Sequence, residues 1–113
     1  MLVYKISSAS LWAQAQQAGA FFGSPVDLAD GYIHFSTADQ VAETAAKHFA
    51  GQRDLMLVAV TTDALGPSLR WEPSRGGALF PHLYGPLPLA SVCWARPLTL
   101  DDASGRFVLP DLA

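Results

Sequence analysis

Apolar and polar positions change period along this chain, and the changes mark its elements. Leu2 to Ser7 alternates and contains Val, Tyr and Ile, which predicts a first strand. Leu11, Trp12, Ala15 and Ala18 then recur at helical spacing, with Ser8 or Ser10 as a cap and Gly19 as a stop. Ala20 to Pro25 reads as a short extended piece and a turn. Alternation returns over Tyr32–Ser36, placing Ile33 and Phe35 toward a core and Tyr32, His34 and Ser36 on the opposite face. A second helix is predicted from about Ala38 to Ala50, with Val41, Ala42, Ala45, Ala46 and Phe49 on one side and Gly51 as its end.

The unbroken apolar run Leu55–Thr61 predicts a strand buried on both faces. A turn follows to Pro67, then a short strand Leu69–Glu72 ended by Pro73, then the loop Ser74–Gly77. Pro81, Pro86 and Pro88 lie within Leu79–Pro88, which argues against a central strand and predicts an ordered, extended segment crossing the surface. Ala90–Leu100 reads as a strand with Val92, Trp94 and Leu98 on one face, and Arg106–Leu109 as a final edge strand. Two early helices and five or six strands predict an α+β fold with a curved or split, mostly antiparallel β-sheet, in a single domain over residues 1–113.

Composition narrows the functional classes. A net charge of −3 argues against long nucleic acid as the main partner. Mean hydropathy is +0.22, but no run approaches the roughly 18 apolar residues a spanning helix needs, so no membrane partner is expected. The first residues lack a basic stretch followed by a long apolar one, so no signal peptide is expected. The single cysteine, Cys93, allows no internal disulfide and fits a reducing, cytoplasmic setting. Flanked by Val92 and Trp94, it reads as buried and inert.

Two segments carry candidate chemistry. Asp30-Gly31-Tyr32-Ile33-His34-Phe35-Ser36-Thr37 places an aromatic, a base and a hydroxyl on one strand face, then a helix start at Thr37 with Gln40 completing a capping box. Such a face ending at a helix N-terminus suits an anion or phosphate. His34 and Ser36 either hold a sugar or phosphate or are plain strand residues. Phe80-Pro81-His82-Leu83-Tyr84-Gly85-Pro86 presents His82 and Tyr84 on proline-ordered backbone, as a pocket wall or as a shaped surface loop. Glu72, at a strand end, either orients a ribose or acts as a base, or is simply solvated. Arg75 either reaches a phosphate or carboxylate or lies in a plain loop, and Lys5 is either on an edge or aimed into a polar cleft. His48 reads as structural, near a helix C-terminus. No metal-ligand spacing, Gly-rich phosphate loop or nucleophile elbow is present.

Tyr4-Lys5-Ile6, Trp12, Asp30 to Ser36, Gln40 with Thr44-Ala45, Trp71-Glu72 and Phe80 to Leu87 together resemble the small bacterial domain-of-unknown-function family nine-five-two, over about residues 2–94. That family carries no established activity and is grouped at fold level with the ADP-ribosyltransferase superfamily. The resemblance implies an ADP-ribosyltransferase-like split sheet and a small-molecule ligand, NAD or a related nucleotide. The activity it implies is glycosyl or phospho-ribosyl transfer or hydrolysis; the alternative is a non-catalytic module that kept the fold without the chemistry. It further implies that Ser36-Thr37 is the superfamily's hydroxyl motif, that His34 flanks the nicotinamide ribose and that Glu72 is the nearest match to the late glutamate. Tyr84 would stack on a base, and His82 would act as acid or base or hold phosphate. Lys5 departs from the pattern, standing where a first-strand His or Arg is expected.

Overall fold

The structure, a computed structural model, describes residues 1–112 except for the side chain of Arg75. Its strands are β1 (Leu2–Ser8), β2 (Ala20–Phe21), β3 (Ile33–His34), β4 (Leu55–Thr61), β5 (Leu69–Pro73), β6 (Leu79–Leu83), β7 (Leu87–Pro88), β8 (Val92–Asp101) and β9 (Arg106–Val108). Its α-helices are α1 (Ala9–Ala18), α2 (Pro25–Asp30) and α3 (Val41–His48). The fold is α+β with a curled antiparallel sheet: one part has the order β1-β4-β8-β9, another the order β3-β6-β5, and β2 pairs with β7. The two larger parts meet where Tyr4 and Ser36 exchange backbone hydrogen bonds of 2.8 Å each.

The unbroken apolar run explains how β4 is used. Val58 and Val60 face a core with Val3, Trp12, Phe21, Ile33 and Leu83. Leu55, Leu57 and Ala59 face a second core with Tyr4, Ile6, Val41, Ala45 and Leu98. Helix α1 contributes to the first core and α3 to the second, so the sheet is covered on both sides. The α1 boundaries follow the local chemistry. Ser8 Oγ accepts from Leu11 N–H, and Gly19 closes the helix with φ of 83°.

Five expectations need correction. A third helix, α2, stands where an extended piece and a turn were expected. Pro25 occupies its first turn, where no backbone donor is needed, and the Asp27 carboxylate accepts the Ser24 N–H at 2.8 Å. The proline-framed segment is not a surface crossing: β6 is the central strand between β3 and β5, and Pro81 is fully buried. Pro81 O accepts from Phe35 N–H at 3.0 Å, so its missing donor points the same way, toward the end of β3. There the chain is already leaving for β1, and the ladder to β5 loses nothing. For the same reason β3 has two residues rather than the five predicted.

In β8 the register slips between Ala59–Trp94 and Val60–Val92, leaving Cys93 unopposed in a bulge. Val92 therefore packs on the first core while Trp94 packs on the second, rather than sharing one face with it. Cys93 is exposed, not buried. The last residues fold back over the second core through Phe107, Leu109 and Leu112, and Tyr4 donates its hydroxyl proton to Leu112 O at 2.6 Å.

Candidate functional site

The seam between the two larger sheet parts opens into a cleft of about 540 Å³. Of the residues singled out in the sequence, Lys5, His34, Ser36, His48 and His82 line it. Phe49 from the end of α3 and Phe80 from β6 add apolar walls. Glu72 and Tyr84 do not line the cleft; they hold His82 from outside it. Thr37 starts the turn into α3: its N–H donates to Gln40 Oε1 at 3.0 Å and its carbonyl accepts from Gln40 and Val41. Gln40 Nε2 in turn donates to Leu79 O at 2.8 Å, tying α3 to β6. The Arg75 side chain lies outside the described part of the structure.

The β3–β6 ladder sets His34 directly opposite His82. Their rings meet edge to face with centroids 5.4 Å apart. Tyr32, two residues before His34 on the same face, stacks on His82 at 4.1 Å and lies 5.2 Å from Tyr84. The alternation read in Tyr32-Ile33-His34-Phe35 is therefore real: Ile33 and Phe35 are buried, and Tyr32 and His34 share the opposite face.

Asp27 organises one side of that site and was missed in the sequence, where it fell between two turn signals. Its only local signal was Ser24-Pro25-Val26-Asp27, the spacing of a capped helix start. The side chain is 1% exposed and accepts from four groups. Lys5 Nζ lies 2.8 Å from Oδ2 and 3.0 Å from Oδ1. His34 Nδ1 and backbone N–H approach Oδ1 at 2.6 and 3.1 Å, and Ser24 N–H approaches Oδ2. Burial pushes this carboxyl up, but the His34 hydrogen bond and the Lys5 charge outweigh it and hold it well below the usual carboxylate range. Burial pushes the Lys5 ammonium down, against the pull of Asp27. Gly23, with φ of 118°, backs this arrangement: a Cβ there would come within 2.8 Å of Asp27 Cβ.

The two histidines are held differently. His34 has carboxylates at both ring nitrogens, Asp27 at Nδ1 and Asp30 Oδ2 at 2.9 Å from Nε2. His82 has one, with Nδ1 2.9 Å from Glu72 Oε1. The Tyr84 hydroxyl donates to the same Glu72 oxygen at 2.7 Å, and the Arg70 guanidinium covers the Tyr84 ring at 4.8 Å. The Tyr84 and His82 hydrogen bonds hold Glu72 below its ordinary range, and the Glu72 contact raises the Tyr84 phenol. Ser36 Oγ lies 2.9 Å from Thr44 Oγ1, and Thr44 donates to Gln40 O, so Ser36 is the donor of that pair. Toward the cleft, Ser36 thus offers lone pairs.

The family model described as "Protein of unknown function (DUF952)" matches residues 6–95. The chain belongs to the DUF952 family. Protein CC0527 from Caulobacter crescentus has a similar structure: its crystal structure shares 52% identity and a TM-score of 0.91, covering 96% of this chain and 94% of that one. A solution NMR structure of CC0527 gives 53% identity and a TM-score of 0.81, covering 90% and 88%. No match was found among curated proteins. The DUF952 match ends at residue 95, whereas the likeness to CC0527 extends over nearly the whole chain. Among the described residues no group of three or more His, Cys, Asp or Glu is placed to hold a metal ion. No helix among them is long and apolar enough to cross a membrane.

Proposed function

We propose that the cleft binds a nucleotide through its ribose, NAD or an ADP-ribose-like compound, in the cytoplasm. The reading is carried by one observation: His34 and His82 are direct cross-strand partners on a cleft of about 540 Å³ at the seam of a split sheet. That volume lies in the range of roughly 300–1,000 Å³ common for small-molecule sites. The chemistry of the wall favours hydroxyl groups over phosphates. Lys5 is committed to Asp27, while Ser36 and His82 can accept from a sugar. Phe49 and Phe80 provide apolar surface for a ring. In this reading the fold is ADP-ribosyltransferase-like and the activity is transfer or hydrolysis at a glycosyl or phospho-ribosyl bond. Glu72 acts through His82, Thr37 shapes the wall by starting α3, and Tyr84 supports the site from behind.

A second reading is a binding module without chemistry. The buried Lys5–Asp27 pair favours it, because this pair occupies the first-strand position where the superfamily carries a His or Arg. The test is thermal unfolding with NAD, ADP-ribose, other nucleotides and 2′-phosphorylated ribose compounds, with His34→Ala and His82→Ala alongside. A ligand at 100 times its Kd stabilises by about 2.7 kcal/mol, several degrees for a chain of this size. A shift lost in both variants supports ribose binding. No shift at millimolar concentration with any compound refutes it. Turnover of the bound compound, abolished in Glu72→Gln with binding retained, excludes the second reading.

A further inference from the structure

We propose that two of the three histidines lining the cleft have separate roles: His82 is its proton-transfer group, with Nε2 open to a ligand hydroxyl, and His34, with a carboxylate at each ring nitrogen, has no nitrogen left to accept from a ligand. The proposal rests on the cleft being a ligand site and assigns the chemistry within it.

The assignment follows from counting donors and acceptors. An imidazole facing carboxylates at both nitrogens satisfies both only by donating from both. Asp27 and Asp30 impose that on His34, so neither of its nitrogens keeps a lone pair. Such a ring accepts nothing from a ligand, and its two N–H groups are already given to Asp27 and Asp30. His82 meets Glu72 at Nδ1. In the neutral ring this fixes the proton on Nδ1 and the lone pair on Nε2. The ring plane is fixed as well, between the stacked face of Tyr32 at 4.1 Å and the hydrogen bond to Glu72. His82 is 3% exposed and lines the cleft, so this lone pair serves the cleft rather than bulk water. When a ligand O–H gives its proton to Nε2, the new imidazolium already has its counter-charge at Nδ1. Glu72 is then a positioning residue, and the Tyr84 hydroxyl, donating to the same oxygen, fixes the carboxylate in turn. The groups facing His82 are Tyr32, His34 and Glu72, with Tyr84 and Arg70 beyond.

Long-range proton–nitrogen NMR of the histidine rings in the free protein tests this without any ligand, His82→Gln and His48→Gln identifying the signals of the three rings. Expected are the Nδ1–H tautomer for neutral His82 and two protonated nitrogens for His34. In Glu72→Leu no acceptor faces Nδ1, so the Nε2–H tautomer of His82 should gain population at the expense of Nδ1–H. Tyr84→Phe, which keeps the carboxylate, should leave the Nδ1–H tautomer in place. An Nε2–H tautomer in the wild type, a bare nitrogen on His34, or a tautomer indifferent to Glu72→Leu overturns the proposal. If the tautomers are as expected and ADP-ribose, NAD and the other nucleotides give no thermal shift, the ribose-binding reading fails and the division of roles stands.

Discussion

Replacing Asp27 with Asn should destabilise the protein more than any other single isosteric change at the site. The side chain keeps its size, so packing is unchanged. Its charge disappears, and one carboxylate oxygen becomes an NH2. Oδ1 faces the His34 ring, the His34 N–H and Lys5; Oδ2 faces the Ser24 N–H and Lys5. Whichever oxygen is replaced, a donor then meets donors. Lys5 is 5% exposed and is left as an uncompensated buried charge. Removing one partner of a buried pair costs about 3–5 kcal/mol. Small domains have roughly 5–15 kcal/mol in total, so the variant should remain folded with a reduced margin. Urea unfolding at pH 7, followed by tryptophan fluorescence, measures this. With a slope of about 1–3 kcal/mol per molar, the midpoint should fall by at least about 1 M at unchanged slope. Lys5→Met in the Asp27→Asn background should recover part of the loss, because no buried charge remains; a coupling of about 0.5–3 kcal/mol is expected. A loss below about 1 kcal/mol, the worth of an exposed pair, would refute the reasoning, as would strict additivity of the two changes.

Three further outcomes follow from the same contacts. The folded Asp27 carboxyl lies below its ordinary value of 3.8, so its contribution is present above that pH and is lost as pH falls through the lower folded value. The wild type should therefore lose stability steeply below about pH 4 in acid titrations, and Asp27→Asn should show a flatter acid limb. Gln40→Ala removes both the Thr37 cap contact and the tie to Leu79, and should cost about 0.5–2 kcal/mol in urea unfolding; Gln40→Glu, which keeps only the acceptor, should fall between. Gly31→Ala meets no atom within 4 Å but must hold φ of 87°, so it should cost about 1–2 kcal/mol without altering the cleft, as judged by thermal midpoint and by unchanged ligand shifts.

What the sequence made legible was whatever depends on near neighbours. Leu55–Thr61 was found to the residue because an unbroken apolar run has one economical use. Ser8 and Gly19 bounded α1 through their own cap geometry, and the alternation through Tyr32–Ser36 placed Ile33 and Phe35 in the core. What failed depends on register between distant strands. Nothing local says that His34 lies opposite His82, that Pro81 sits where its missing donor is harmless, or that one extra residue at Cys93 moves Val92 to the other face. Asp27 was hidden because two turn signals surround a helix of only six residues. The candidate residues were thus legible by type, while the carboxylates that face His34 and His82 were visible only in the structure.

The bridge between Tyr4 and Ser36 gives the molecule a joint. Each wall of the cleft is stiffened by its own ladder, but among the described residues the walls are tied to each other there by one reciprocal pair of amides. Those two amides protect one another, so a common opening of the seam, which must also part Lys5 from Asp27, is the expected route for their exchange with solvent. A compound seated across the seam would slow both together, making them a paired readout of cleft breathing on the exchange timescale.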